Sequence, residues 1–239
     1  MKKTKITALF LCATLMLSGC ASMNHTTKGG LLGGTGGAAL GAIIGGIAGK
    51  GKGAAIGAGI GAVVGGATGV LIGNKMDKAA KEAAAIEGAQ VEQVTDNMGL
   101  KAVKVTFDSG ILFGTGAATL SSSAKASLSK FANNVLKQNP DMDVNIYGFT
   151  DNQGWKNSTP EQSKQKNLDL SQERAQSVSS YLMACGITSS QIKGVEGLGE
   201  ESPVADNSTA AGRQENRRVE IYMYASAEMI QQAEAGTLR

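Results

Sequence analysis

Histidine is nearly missing from this chain: His25 is the only one in 239 residues. Proline occurs three times, cysteine three times and tryptophan once, and aromatic residues make up 4% of the sequence. Without a second histidine there is no imidazole in the body of the chain to serve as general base or zinc ligand, and no pair of acidic residues stands out at a strand end. An enzyme, a metal centre and a bound cofactor are therefore not expected. Cysteine is too scarce for a disulfide framework. Cys12 and Cys20 lie at the N-terminus, so Cys185 has no intrachain partner and reads as a small buried hydrophobe near the end of an apolar helical stripe. Positive charge is scarce as well. Of 23 basic residues, Lys2, Lys3 and Lys5 fall in the first five positions, and the remaining 20 are matched by 20 acidic ones. A neutral chain with few aromatics gives no electrostatic footprint for nucleic acid.

The first twenty residues, "MKKTKITALFLCATLMLSGC", set three lysines before an apolar run from Ile6 to Leu17. That run is too short to span a bilayer and fits the core of a secretory signal. Its end, Leu17-Ser18-Gly19-Cys20, resembles the lipobox of bacterial lipoproteins. The resemblance implies removal of residues 1–19, lipidation of Cys20, and a tether over 20–28. Ser22 stands where aspartate would favour retention in the inner membrane of enteric bacteria. The expected location is thus the outer membrane, lipid-anchored and facing the periplasm.

From Gly29 to Gly73 glycine recurs at every fourth position, with Leu, Ile, Val and Ala between. A dozen glycines disfavour a helix in water by about 1 kcal/mol each. In a bilayer the unpaired backbone is the worse alternative, and glycines four apart form a strip that another helix can approach closely. Residues 29–73 therefore read as a helical hairpin whose arms meet at the basic turn "GKGKG". The segment resembles the glycine-zipper domains of outer-membrane lipoproteins, which implies homo-oligomerisation through the zipper. "GIAGKGK" starts like a phosphate-binding loop, but Gly53 stands where Ser or Thr is required and no strand precedes it.

Residues 74–99 are charged and alanine-rich and read as a solvated helical stalk. Beyond them the periodicity changes. "LKAVKVTF", "DVNIYGF", "IKGVEGLG" and "RRVEIYMY" read as four strands, and two amphipathic helices lie between. Ala124, Leu128, Phe131 and Val135 mark the inner face of the first helix. Leu170, Val178, Tyr181, Leu182 and Cys185 mark that of the second, which Gly186 stops. The expected class is α+β, with helices on one face of a mixed four-stranded sheet over residues 100–226, and 227–239 as a C-terminal tail.

The runs "FDSGILF", "GFTDNQG", "NLDLSQERAQSVSSYL", "GLGEESPVADN" and "GRQENRRVEI" resemble, in order and character, the OmpA-like C-terminal domain, the peptidoglycan-associated module. The resemblance implies non-covalent binding of the diaminopimelate-containing stem peptide of peptidoglycan. It also implies that Asp151 grips the ammonium of the diaminopimelate side chain and Arg174 its carboxylate. Chemistry asks for the same pair, since a zwitterionic amino-acid end calls for one anion and one forked cation held close together. Thr150, Asn152 and Asn167 are expected to fix the loop or touch the ligand. Arg217 and Arg218 are expected to brace the last strand. The bland alternative for Asp151 and Arg174 is a structural salt bridge.

The sequence departs from the family at Phe149, where histidine is usual, and in "WKNSTPEQSKQK", which lengthens the loop and is expected to bulge outward around Trp155. Two functions from different classes compete with wall tethering. Wall hydrolysis lacks residues to carry it, whereas an oligomeric membrane assembly through the zipper is compatible with tethering. A flagellar-stator role is disfavoured, because a lipobox replaces the inner-membrane helix it would need.

Overall fold

A computed structural model of the protein describes residues 67–95 and 101–238. The signal segment, Cys20, the tether, His25 and the glycine repeat up to residue 66 lie outside the described residues. Among those described, no helix is long and apolar enough to cross a membrane.

Helix α1 (Ala67–Ala84) leads into strand β1 (Ala89–Thr95) through Gly88, whose φ of +81° suits glycine best. Ile72, Met76, Ala79, Ala80 and Ala83 fall on one side of α1 and are buried. Lys75 pairs with Asp141. The expectation of a solvated stalk over 74–99 is corrected here: the segment holds most of a packed helix and a whole strand. Charges on the outer face hid a stripe of alanines, which serves as a contact surface because short side chains let backbones approach.

Strand β1 pairs antiparallel with β2 (Lys101–Asp108), from Ala89 opposite Phe107 to Thr95 opposite Lys101. The chain then forms a short helix α2 (Ser109–Leu112), helix α3 (Ser122–Phe131) with a π-helical turn (Ala132–Leu136), and strand β3 (Met142–Gly148). Helix α4 (Pro160–Ala184), strand β4 (Ile192–Gly197), helix α5 (Ala210–Asn216), strand β5 (Arg218–Ala225) and helix α6 (Ala227–Glu234) complete it. The sheet has five strands, not four, in the order β1-β2-β5-β3-β4, with only β3 and β4 parallel. The extra strand is β1. Its only apolar β-formers are two valines among polar residues, too weak an alternation to stand out in the sequence. The expected tail over 227–239 is likewise corrected, since α6 buries Met229, Ile230 and Ala233 and is capped by Ser226.

The first helical face is as the apolar spacing predicts; on the second, Leu170, Val178 and Leu182 are buried, whereas Tyr181 and Cys185 are only half-buried. Ala124, Leu128, Phe131 and Val135 are wholly buried, and Phe131 meets Phe107 of β2 edge-on at 6.0 Å between ring centres. Ser121 caps α3 by accepting from the amide of Ala124 at 3.0 Å. Helix α4 is longer than expected, at 25 residues. Thr159 and Gln162 form a reciprocal capping box and Pro160 starts the first turn, so most of "WKNSTPEQSKQK" is helix and does not bulge outward.

Two glycines fix how α4 sits. A β-carbon at Gly148 would lie 2.1 Å from the carbonyl oxygen of Ser171, and one at Gly197 would lie 2.2 Å from the amide of Gln172. The helix therefore rests directly on the ends of β3 and β4. On the other face of β3, Asn145 donates to the hydroxyl of Tyr147 at 2.9 Å, and Tyr147 packs edge-on against Tyr222 of β5.

Candidate functional site

Asp151 lies three residues past Gly148, and Arg174 three residues past Ser171. The close approach of β3 and α4 thus brings the two charged residues to one end of the domain. Both line a cavity of about 530 Å³, walled also by Ser109, Gly110 and Phe113, by the turn Gly114 to Gly116, and by Trp155, Gln214 and Arg217. That volume suits a small ligand or the end of a larger one.

Asp151 is 6% exposed. One carboxylate oxygen accepts from the amide of Gln153 at 3.1 Å, an Asx turn that holds the side chain over the cavity. The other oxygen pairs with the guanidinium of Arg217. Arg217 also donates to Gln214, whose amide nitrogen in turn donates to both carboxylate oxygens of Asp108 at 2.6 Å.

Arg174 is 3% exposed, and its Nε donates to the carbonyl of Ala117 at 3.0 Å. Its guanidinium stands over the ring of Phe113 at 5.2 Å. Among the described residues no carboxylate lies within salt-bridge distance of it. Burial, and next the nearby charge of Arg217, hold its pKa below the usual arginine value, with Asp151 opposing. A buried guanidinium without a carboxylate is costly, and an anion entering the cavity would relieve that cost.

Thr150 and Ser109 add two hydroxyls. Both residues are buried on the cavity wall, and neither side-chain oxygen has a hydrogen-bond partner. Asn167 is fully engaged. Its amide nitrogen donates to the carbonyls of Asp151 and Gln153 and to Glu200, while its oxygen accepts from the indole N–H of Trp155 at 2.7 Å. Asn167 thus ties the Asp151 loop to α4 instead of presenting free donors to a ligand. Asn152 is exposed and lies off the cavity wall, so its expected place in the site is corrected. The Asx turn directs the loop past it.

Sequence reasoning missed Trp155 and Arg217 as parts of the wall. Trp155 does not point into a bulge. Its amide is held by Ser163 at 3.0 Å, and its ring would lie 3.7 Å from a β-carbon at Gly116, where φ is +63°. Arg217 could have been found from strand alternation, because two successive arginines at a strand start point to opposite faces. Arg218 braces the sheet as expected: it stacks on Phe149 at 3.8 Å and donates to Glu220 at 2.7 Å. Phe149 is buried under it and off the cavity wall, so the change from histidine leaves the lining intact. No cluster of His, Cys, Asp and Glu among the described residues could hold a metal ion.

A mixed sheet with a carboxylate and a buried guanidinium at one end defines a small α+β binding module. Residues 112–217 match the model of the OmpA family, and residues 1–77 match the YMGG-like Gly-zipper model. The C-terminal domain is thus similar to the OmpA family over residues 112–217. It is 40% identical over 135 residues to the probable lipoprotein YiaD of Escherichia coli, covering 56% of this chain and 54% of that protein. It is 39% identical over 113 residues to the outer-membrane lipoprotein YfiB of Pseudomonas aeruginosa, covering 47% and 61%. It is 41% identical over 111 residues to the peptidoglycan-binding protein ArfA of Mycobacterium bovis, covering 46% and 31%. The chain therefore spans less than two thirds of the length of each of these relatives. Among solved structures, a MotB-like protein from Desulfovibrio vulgaris is similar with a TM-score of 0.55 and 25% identity, covering 67% of this chain and 96% of that one. The cell wall anchor of the T6SS from Pseudomonas aeruginosa is similar with a TM-score of 0.50 and 28% identity, covering 63% and 97%.

Proposed function

We propose that this protein is a lipid-anchored outer-membrane protein that tethers the membrane to the cell wall by gripping the stem peptide of peptidoglycan without covalent chemistry. Cys20 carries the lipid, and the domain faces the periplasm. The observation that carries the reading is Arg174, a buried guanidinium with no carboxylate partner among the described residues, facing the same cavity as Asp151. A zwitterionic amino-acid end, such as the free end of diaminopimelate, supplies the anion that Arg174 lacks and an ammonium that can compete with Arg217 for Asp151. Its carboxylate satisfies Arg174 and its ammonium is held by Asp151. The names of the relatives support the class of ligand and the location.

Each charge-assisted hydrogen bond contributes about 1.5–3 kcal/mol, so a single cavity holds weakly. Many anchored copies facing a polymeric wall bind firmly through effective concentration. Isolated sacculi incubated with the protein should retain it, and Asp151→Ala and Arg174→Ala should each reduce retention at least tenfold. Undiminished retention in both variants would falsify the assigned site. Release of soluble muropeptides during the same incubation would point to hydrolysis instead.

A second reading rests on the Gly-zipper match and the unbroken four-residue glycine period: the segment 29–73 assembles copies of the chain, with the wall-binding domain as its anchor. Mass measurement in detergent separates the two. Loss of oligomers on deleting 29–73 assigns assembly to the zipper, and an unchanged mass removes that role.

A further inference from the structure

Among the described residues Asp151 is the only carboxylate lining the cavity, and an arginine of this chain already sits on it. Two guanidiniums share that wall, and the exposed Lys156 adds an ammonium to it. Arg174 has a backbone carbonyl and a ring beneath it, and Arg217 has Asp151 and the neutral amide of Gln214. The side chain of Asp151 is 9% exposed and that of Arg217 is 32% exposed, so Arg217 is the partner with room to move. Asp108 and Glu200 lie behind the wall, held by Gln214 and Asn167, and do not line the cavity.

Partner counting then gives more than a zwitterion. When a ligand ammonium takes Asp151, Arg217 is left facing the cavity without a carboxylate, as Arg174 already does. One ligand carboxylate can satisfy only one of them with bidentate geometry. Resting on the wall-binding reading above, we propose that Arg217 is a displaceable counter-ion and a specificity-determining residue. The ligand's ammonium replaces it on Asp151, and the freed guanidinium binds a second carboxylate of the same ligand. The preferred ligand is an acylated diamino acid with three free charged groups, two carboxylates and one ammonium. In wall chemistry that is a stem ending at its diamino acid, with the backbone carboxylate unblocked.

Mono-N-acetyl-diaminopimelate tests this against its analogue in which only the carboxylate beside the acetylated nitrogen is a carboxamide. Both probes keep the zwitterionic end and differ in the second carboxylate alone. Calorimetric titration of the full chain in detergent should show the acid binding at least tenfold more tightly than the amide. Arg217→Gln should reduce that ratio to within twofold, and Arg217→Lys, which keeps the charge, should restore a preference for the acid. Asp151→Ala should lose both probes. Equal affinities in the unaltered protein, or a full preference surviving in Arg217→Gln, overturn the second-carboxylate inference while leaving the zwitterion site standing. Undiminished binding in both Asp151→Ala and Arg174→Ala overturns the underlying site and this inference with it. Should Arg217→Gln fail to fold, the ratio in the unaltered protein decides alone.

Discussion

Gly148 and Ser171 touch so closely that no side chain fits between them: a β-carbon on Gly148 would stand 2.1 Å from the carbonyl oxygen of Ser171. This contact sets the height of α4 on β3, and Asp151 and Arg174 each lie three residues beyond it. Gly148→Ala must push the helix away or distort the strand. Overpacking of this kind costs about 1–3 kcal/mol or more. Urea unfolding should register that loss, and affinity for wall fragments should fall in the protein that remains folded. A variant with unchanged stability would mean that α4 does not rest on this glycine.

Asn167 joins the Asp151 loop, Glu200 and Trp155 through four hydrogen bonds. Removing the side chain leaves loop carbonyls and the indole N–H without their partner, at about 1–3 kcal/mol for each group that stays buried. Trp155 is the only tryptophan, so its fluorescence reports on this one place. Asn167→Ala should shift its emission to longer wavelength as the indole reaches water, and should weaken sacculus retention. Asn152→Ala, on the exposed side of the same loop, should change neither.

How much of this was legible beforehand differs from element to element. Most of the helical faces followed from apolar spacing, and the placing of Asp151 and Arg174 on one cavity wall agrees with what the motif resemblance implied, because those signals are local and strong. Strand β1 was not legible, since "AQVEQVT" carries two valines and depends on its register with β2. Helix α1 was misread because alanine contributes little hydrophobicity per residue yet allows the closest packing. Trp155 was misplaced for a related reason: the capping box at Thr159 and Gln162 absorbs the apparent insertion into α4. Arg217 is masked in the sequence by its neighbour Arg218, although a strand turns successive side chains to opposite faces.

The tyrosines of β3 and β5 make the domain sensitive to alkali. Burial, the largest cause, pushes the pKa of Tyr147 from 10.0 up to about 12, with Glu196 and Glu220 adding to the rise and the hydrogen bond from Asn145 opposing it. Burial also raises the pKa of Tyr222 and Tyr224. In the unfolded chain these phenols lose their protons near the ordinary tyrosine value, while the folded chain keeps them. Between pH 10 and about 12 the unfolded state therefore binds fewer protons, and stability falls as pH rises. Full stability is present below that window. From Tyr147 alone the loss across it is about 3 kcal/mol. Chemical denaturation at stepped pH should show the decline, and tyrosinate absorbance should lag in the folded protein until denaturant releases it. Tyr147→Phe should flatten the slope between pH 10 and about 12.

Arg217 and Arg218 are neighbours in sequence with opposite settings, and their truncation should separate stability from recognition. Arg218 is 5% exposed, stacked on Phe149 and bonded to Glu220, which also accepts from the hydroxyl of Tyr222 at 2.8 Å. Arg218→Ala leaves the Glu220 carboxylate buried without its cation, a loss of about 3–5 kcal/mol. Arg217 is a third exposed and its partner Asp151 keeps the amide of Gln153, so Arg217→Ala should cost about 1 kcal/mol. Thermal and urea unfolding of the two variants side by side should show this disparity, with Arg218→Ala melting far lower. Glu220→Gln in the Arg218→Ala background should recover part of the loss, because it removes the charge that the missing arginine had neutralised. Equal destabilisation at both positions would mean that the two arginines are not divided between the cavity and the sheet.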